Sequence, residues 1–167
     1  MKSNQIAIVL LALSIGCAKA PATAPAEQPA ATAPAPVASG PRVVFPDGTQ
    51  ISVEIVADDE ARAQGLMFRD SLRPNAGMLF FFPKEGDYPF WMKNTFIPLD
   101  MIWIDSTRHV VAIHHDVPPC KADPCASYPP NANALYVLEV AAGVAQQHAL
   151  KVGDVVRYES MPDVTAR

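Results

Sequence analysis

The 167-residue chain is short of several things, and each shortage removes a class of function. Basic residues are in the minority: 13 Lys and Arg against 17 Asp and Glu leave a net charge of −4. That balance argues against a nucleic-acid partner, whose phosphates select a basic face. The sequence contains no G-x-S-x-G elbow, no H-E-x-x-H pair and no phosphate loop, so no specific catalytic signature is present. No alternation of strand and helix patterns runs through it, which argues against a dinucleotide-binding fold, and no internal repeat is visible. Cysteine is limited to three residues, an odd count. The N-terminal apolar run Ile6 to Ile15 rises only ~15 Å as a helix, against a hydrocarbon core of roughly 30 Å, and is too short for a permanent span.

What is present divides into parts. Half of the residues are hydrophobic, enough for one good core. Lys2 and the run after it have the n-region and h-region of a secretory signal. The run ends in Leu13-Ser14-Ile15-Gly16-Cys17, which resembles the lipobox of bacterial lipoproteins, with Ser14 standing where Leu is usual. An ordinary cut near Ala18 or Ala20 is the alternative. Ala18 resembles the residue of the outer-membrane-directed class. The expectation is a signal over residues 1–17, lipid on Cys17, and an exported outer-membrane lipoprotein facing the periplasm. Residues 18–41, rich in Ala and Pro, read as a disordered tether that could reach on the order of 70 Å at about 3.1 Å per residue. Residues 42–160 form the folded domain and 161–167 a tail. With Cys17 lipidated, Cys120 and Cys125 remain as an even pair closing a small loop, which an exported protein can keep oxidised. A metal pair would need further ligands, with His114 and His115 nearest, and a redox pair usually has two intervening residues.

Within the domain, Arg42 to Phe45 and the alternating Ile51 to Val56 read as strands around the turn Pro46-Asp47-Gly48. Asp58-Asp59-Glu60 starts a short helix that Gly65 ends. Apolar Met78 to Phe82 suits a strand buried on both faces, followed by strands at Tyr88 to Met92, Leu99 to Ile104, His109 to His114 and Ala134 to Val140. Ala141 to Leu150 reads as a helix and Val155 to Glu159 as the last strand. Many short strands with two short helices point to a mainly β domain, a compact antiparallel barrel or sandwich.

The segments Gly65-Leu66-Met67-Phe68-Arg69, Gly77-Met78-Leu79-Phe80, Phe90-Trp91-Met92-Lys93-Asn94-Thr95, Pro98-Leu99-Asp100 and Tyr136-Val137-Leu138-Glu139-Val140 with Gly143 occur in a telling order. In these the chain resembles the bacterial and archaeal domain of unknown function 192 family, over roughly Val43 to Tyr158. The resemblance implies a compact β-rich domain, often exported, and supplies no established activity. The cysteine loop followed by Tyr128 is similar to a feature of exported members.

Lys93, Asn94, Thr95 and Asp100 are the leading candidate group, since an ammonium, an amide and a hydroxyl beside the Trp91 indole are suited to orienting a small polar ligand. Arg69 and Tyr128 join them as ligand-binding candidates. The same residues have bland roles: Lys93 could pair with Asp100 or Glu139, Asn94 and Thr95 could satisfy turn amides, and Arg69 could anchor a turn with Asp70. Three functions follow from these readings. The first is a non-catalytic module for a small ligand or envelope partner, with no cofactor or metal. The second is a small periplasmic enzyme using Lys93 or Asp100 in acid-base chemistry. The third is a Cu(I) protein using Met67, Met78, Met92 and Met101 with Trp91, against which methionine beside aromatics is ordinary core filler.

Overall fold

The computed structural model describes residues 40–163 and 166. The signal reading for 1–17, lipid at Cys17 and nearly all of the tether lie outside the described residues, as does part of the tail.

Among the described residues eleven elements follow one another: β1 (Arg42–Val44), β2 (Gln50–Val56), α1 (Asp59–Gln64), β3 (Ala76–Gly86), β4 (Phe90–Trp91), β5 (Leu99–Ile104), β6 (Val110–Val117), β7 (Ser127–Tyr128), β8 (Ala134–Ala141), α2 (Val144–Gln147) and β9 (Arg157–Glu159). Seven strands make one sheet in the order β6-β5-β8-β3-β2-β1-β9, curled into a half-barrel, and β4 with β7 forms a separate two-stranded ribbon. The domain is mainly β, as expected. Its ladders are antiparallel except for β2 and β3, which run parallel. Their connection carries α1, because parallel neighbours need a crossover rather than a hairpin turn. Register shifts in the β3–β8 and β5–β6 ladders add local bend to the sheet.

Alternation along the strands sends side chains to two clusters. Leu79, Ile102, Leu138 and Val140 meet Val43, Phe45 and Ile51 on one face. Met78, Phe80, Met101, Trp103 and Val137 pack with Met92 and Leu99 on the other. Glu139 alternates with Leu138 and Val140 and so shares this second face, directly opposite Met78 on β3 and Met101 on β5. Its strand lies close to β3. A Cβ on Gly77 would come within 2.6 Å of the Glu139 carbonyl oxygen, so only glycine fits there.

Several boundaries differ from the sequence expectation. The strand predicted over Tyr88 to Met92 shrinks to Phe90–Trp91, because Pro89 has no donor and Tyr88 turns back to stack on Phe82 at 3.7 Å and donate to the Lys84 carbonyl. The helix predicted over Ala141 to Leu150 is one turn, Val144–Gln147, because β8 continues through Ala141 and Gly143 then turns the chain at φ 85°. At the C-terminal end, Val155 makes only an isolated bridge to His109, and β9 begins at Arg157. The α1 prediction holds: Asp58 accepts the Ala61 N–H as N-cap, and Gly65 ends the helix at φ 48°.

Candidate functional site

α1 and the turn behind it lie over the second face of the sheet, where they leave a pocket of about 30 Å³ beside Phe80, Trp91, Thr95 and Glu139. Gly65 roofs it closely, since a Cβ there would sit 3.3 Å from the Phe80 ring. Glu139 is 4% exposed. Among the described residues no side chain or backbone donor reaches its carboxylate, and burial pushes its pKa up to about 8. The acid is therefore mainly protonated at neutral pH.

The other charged group lining the pocket is Arg62, whose guanidinium donates to the Phe81 carbonyl at 2.8 Å and to Asp59 at 2.6 Å. It also lies 5.4 Å from the Phe82 ring centroid. Beside the pocket runs a groove of about 250 Å³, walled by Phe82, Tyr88 and Pro89, which shares Arg62, Ala63, Phe90 and Trp91 with it. Phe90 is wedged edge-on among Phe80, Phe82 and Trp103, which fixes the wall between the two. Trp91, 51% exposed, forms the lip.

Phe68 and Phe96, 63% and 54% exposed, meet edge-to-face with ring centroids 6.2 Å apart. Phe68 is held at φ 63°, uncommon for an aromatic residue, and its N–H donates to the Asn94 carbonyl at 2.8 Å. Exposed rings kept in a strained backbone are the kind of feature found at binding surfaces.

The predicted site residues scatter around this arrangement. Trp91 and Thr95 line the pocket, Thr95 buried. Lys93 and Asn94 line a neighbouring polar hollow against the cysteine loop. The Lys93 ammonium pairs with Asp123 at 3.5 Å, rather than with Asp100 or Glu139, and lies 5.7 Å from the Trp91 ring centroid. Asn94 turns at φ 54° and reaches the Met67 sulfur at 3.8 Å.

Asp100 is fully buried and accepts the N–H groups of Asp116, Gly143 and Ala145, so it is not brought to Lys93. Arg69 forms a two-pronged pair with Glu54 instead of Asp70, and the bonds from Arg69 hold the Glu54 carboxyl below its ordinary range. Tyr128 pairs with Phe90 across the small ribbon and meets the His114 ring edge-on. His114 itself bonds the Pro129 carbonyl.

Cys120 and Cys125 are joined in a disulfide, which removes both from the thiolate and metal readings. Met78, Met92 and Met101 are buried in the second cluster, whereas Met67 lines the pocket. Among the described residues no three His, Cys, Asp or Glu side chains converge as metal ligands.

The sequence offers Glu139 as part of the Tyr136 to Val140 segment and as a partner for Lys93, not as a site residue. Its signal was nevertheless present: one acid inside the apolar run Tyr136 to Val140, on a strand paired on both sides, must be buried.

Residues 42–158 match the sequence profile of the domain of unknown function 192 family, described as an uncharacterised ACR. The chain belongs to this family. Two solved structures are similar to this chain. One is from Sinorhizobium meliloti 1021, provisionally described as a transcription regulator, 32% identical, covering 72% of this chain and 93% of its own, with a TM-score of 0.65. The other is a protein of unknown function from Novosphingobium aromaticivorans, also 32% identical, covering 77% of this chain and 94% of its own, with a TM-score of 0.63. No curated protein matches the chain.

Proposed function

We propose that this domain is a non-catalytic binding module, carried at the cell envelope by lipid on Cys17, whose cleft beneath α1 receives a small ligand. The observation that carries the reading is the partnerless Glu139 carboxyl on the floor of a pocket whose lip is the exposed Trp91 indole. Burying a polar group without a partner costs roughly 1–3 kcal/mol, and a ligand that supplies the partner recovers that cost. Aromatic walls with one buried polar group are the usual composition of a ligand site.

Acid-base catalysis would need a second titratable group converging with the first. Lys93 and Asp100 do not converge, and Arg62, the other charged group at the pocket, stays cationic and is engaged by Asp59 and the Phe81 carbonyl. The net charge of −4 adds support for a partner other than nucleic acid.

The test is an unbiased small-molecule screen on the full chain, read by thermal shift and repeated with Trp91→Ala. Hits that disappear in the variant support the cleft. Hits that bind the variant equally well, or a screen without hits, count against it. Mass analysis of the exported protein tests the address separately: acylated Cys17 at the mature N-terminus supports it, and a start at Ala18 or beyond overturns it.

A further inference from the structure

Resting on the cleft reading, we infer that the ligand is a small primary amine, its ammonium group received by the Glu139 carboxylate and its apolar body lying along the groove beside Phe82, Tyr88 and Pro89. Size is the first argument. A pocket of about 30 Å³ holds a head group no larger than one or two water molecules. An ammonium on a methylene fits, whereas a phosphate or a sugar ring does not. The adjoining groove of about 250 Å³ has the capacity for a body of roughly ring size, and its walls are aromatic.

Charge is the second argument. Glu139 is the pocket's acid and has no partner among the described residues, so once ionised it offers acceptors to an ammonium and a like charge to an anionic head. Arg62 also lines the pocket, its charge balanced by Asp59 and its guanidinium held to the Phe81 carbonyl. The elements around Glu139 bring few other charges. β3 and β5 present Met78 and Met101, and α1 presents Arg62. β2 presents Glu54, neutralised by Arg69, and the loop after β4 presents Lys93, neutralised by Asp123.

Aromatic lining is the third argument, since Phe80, Phe90 and Trp91 border the head-group pocket and a cation over a ring is attracted to it. The indole already has one: the Lys93 ammonium lies 5.7 Å from its centroid.

The binding step releases a proton. With its pKa pushed up to about 8, free Glu139 is protonated at neutral pH. Forming the ammonium–carboxylate pair sends that proton to the buffer. Affinity therefore rises by up to about tenfold per pH unit below about pH 8 and flattens above it.

The probe is 2-phenylethylamine, titrated into the full chain while the Trp91 indole N–H is followed by NMR, with 2-phenylethanol and 3-phenylpropionate as isosteres. The amine is expected to bind at least about tenfold more tightly than either isostere, as a charge-assisted hydrogen bond allows. Glu139→Gln is expected to remove that preference and the pH slope. Trp91→Ala, at an exposed position and followed by titration calorimetry because the variant lacks the reporter indole, should weaken all three without unfolding the protein. An amine no tighter than the alcohol, or a pH slope that survives Glu139→Gln, overturns the amine assignment. If the alcohol or the carboxylate binds and the amine does not, the cleft stands and the amine class falls. If none of the three perturbs Trp91, the cleft reading falls as well.

Discussion

Asp100 and Ala145, 45 residues apart in the chain, are joined by a 2.8 Å hydrogen bond from the Ala145 backbone N–H to the Asp100 carboxylate. The same carboxylate accepts the Gly143 N–H at 3.2 Å and the Asp116 N–H at 2.9 Å. It supplies the cap that α2 lacks, since Gly143 at the N-cap position has no side chain to offer. It also holds the end of β6, where Asp116 adopts φ 49°.

Asp100→Ala strands three amides at once, so a loss of roughly 3–5 kcal/mol is expected. Asp100→Asn should be nearly as damaging, because its amide NH₂ would face donors. Chemical denaturation of each variant measures the loss. A change below about 1 kcal/mol for the alanine variant would contradict this account.

Glu139 reports its burial through pH. Its pKa is raised from 4.5 to about 8, so the folded state holds the proton more tightly than the unfolded chain does. The resulting stabilisation is complete below about pH 4.5, declines as pH rises, and levels off above about pH 8. The full excursion is on the order of 5 kcal/mol for this shift. Glu139→Gln should flatten the melting temperature across that window relative to the parent. Parallel profiles for the two proteins would show that another group titrates there.

The Arg69 and Glu54 pair is half in solvent, so Arg69→Ala should cost under about 1 kcal/mol. The sign of its pH effect is opposite to that of Glu139. Arg69 depresses the Glu54 pKa below its ordinary 4.5, so the contribution is present above that value and disappears as pH falls through the lowered one. Thermal melts of parent and variant between about pH 3 and pH 7 should therefore converge at the acid end.

Removing the disulfide with Cys120→Ser and Cys125→Ser reopens a loop whose ends are five residues apart. Chain-entropy reasoning puts the loss at about 2 kcal/mol. Because Asp123 lies inside that loop and pairs with Lys93, which lies over Trp91, the variant should also show altered Trp91 emission. An unchanged spectrum would disconnect the loop from the indole.

How much of this was legible beforehand follows from which interactions are local. α1 was readable because its cap, Asp58, and its stop, Gly65, act within a turn of the residues they control. The apolar strands were readable because Leu99 to Ile104 could only be buried. The crossing between β2 and β3 was not, since parallel pairing is decided by where distant strands dock. The site divided in the same way. Trp91 stood out as an aromatic beside polar residues, and it does form the lip of the cleft. Asp100 misled because its partners are backbone amides up to 45 residues away, which no side-chain pattern advertises. Glu139 is visible in the sequence as an acid within an apolar strand, but the pocket it lines is made by α1 and the Trp91 segment, which are distant in the chain.

Gly77 ties the depth of the cleft floor to main-chain spacing. With no room for even a methyl group against the carbonyl of residue 139, the separation of β3 from β8 cannot be tuned by exchanging side chains at that point. Relatives that diversify what they recognise are thus free to vary the lip at position 91, while the glycine packed on the carbonyl of residue 139 should stay invariant among those that keep the acid.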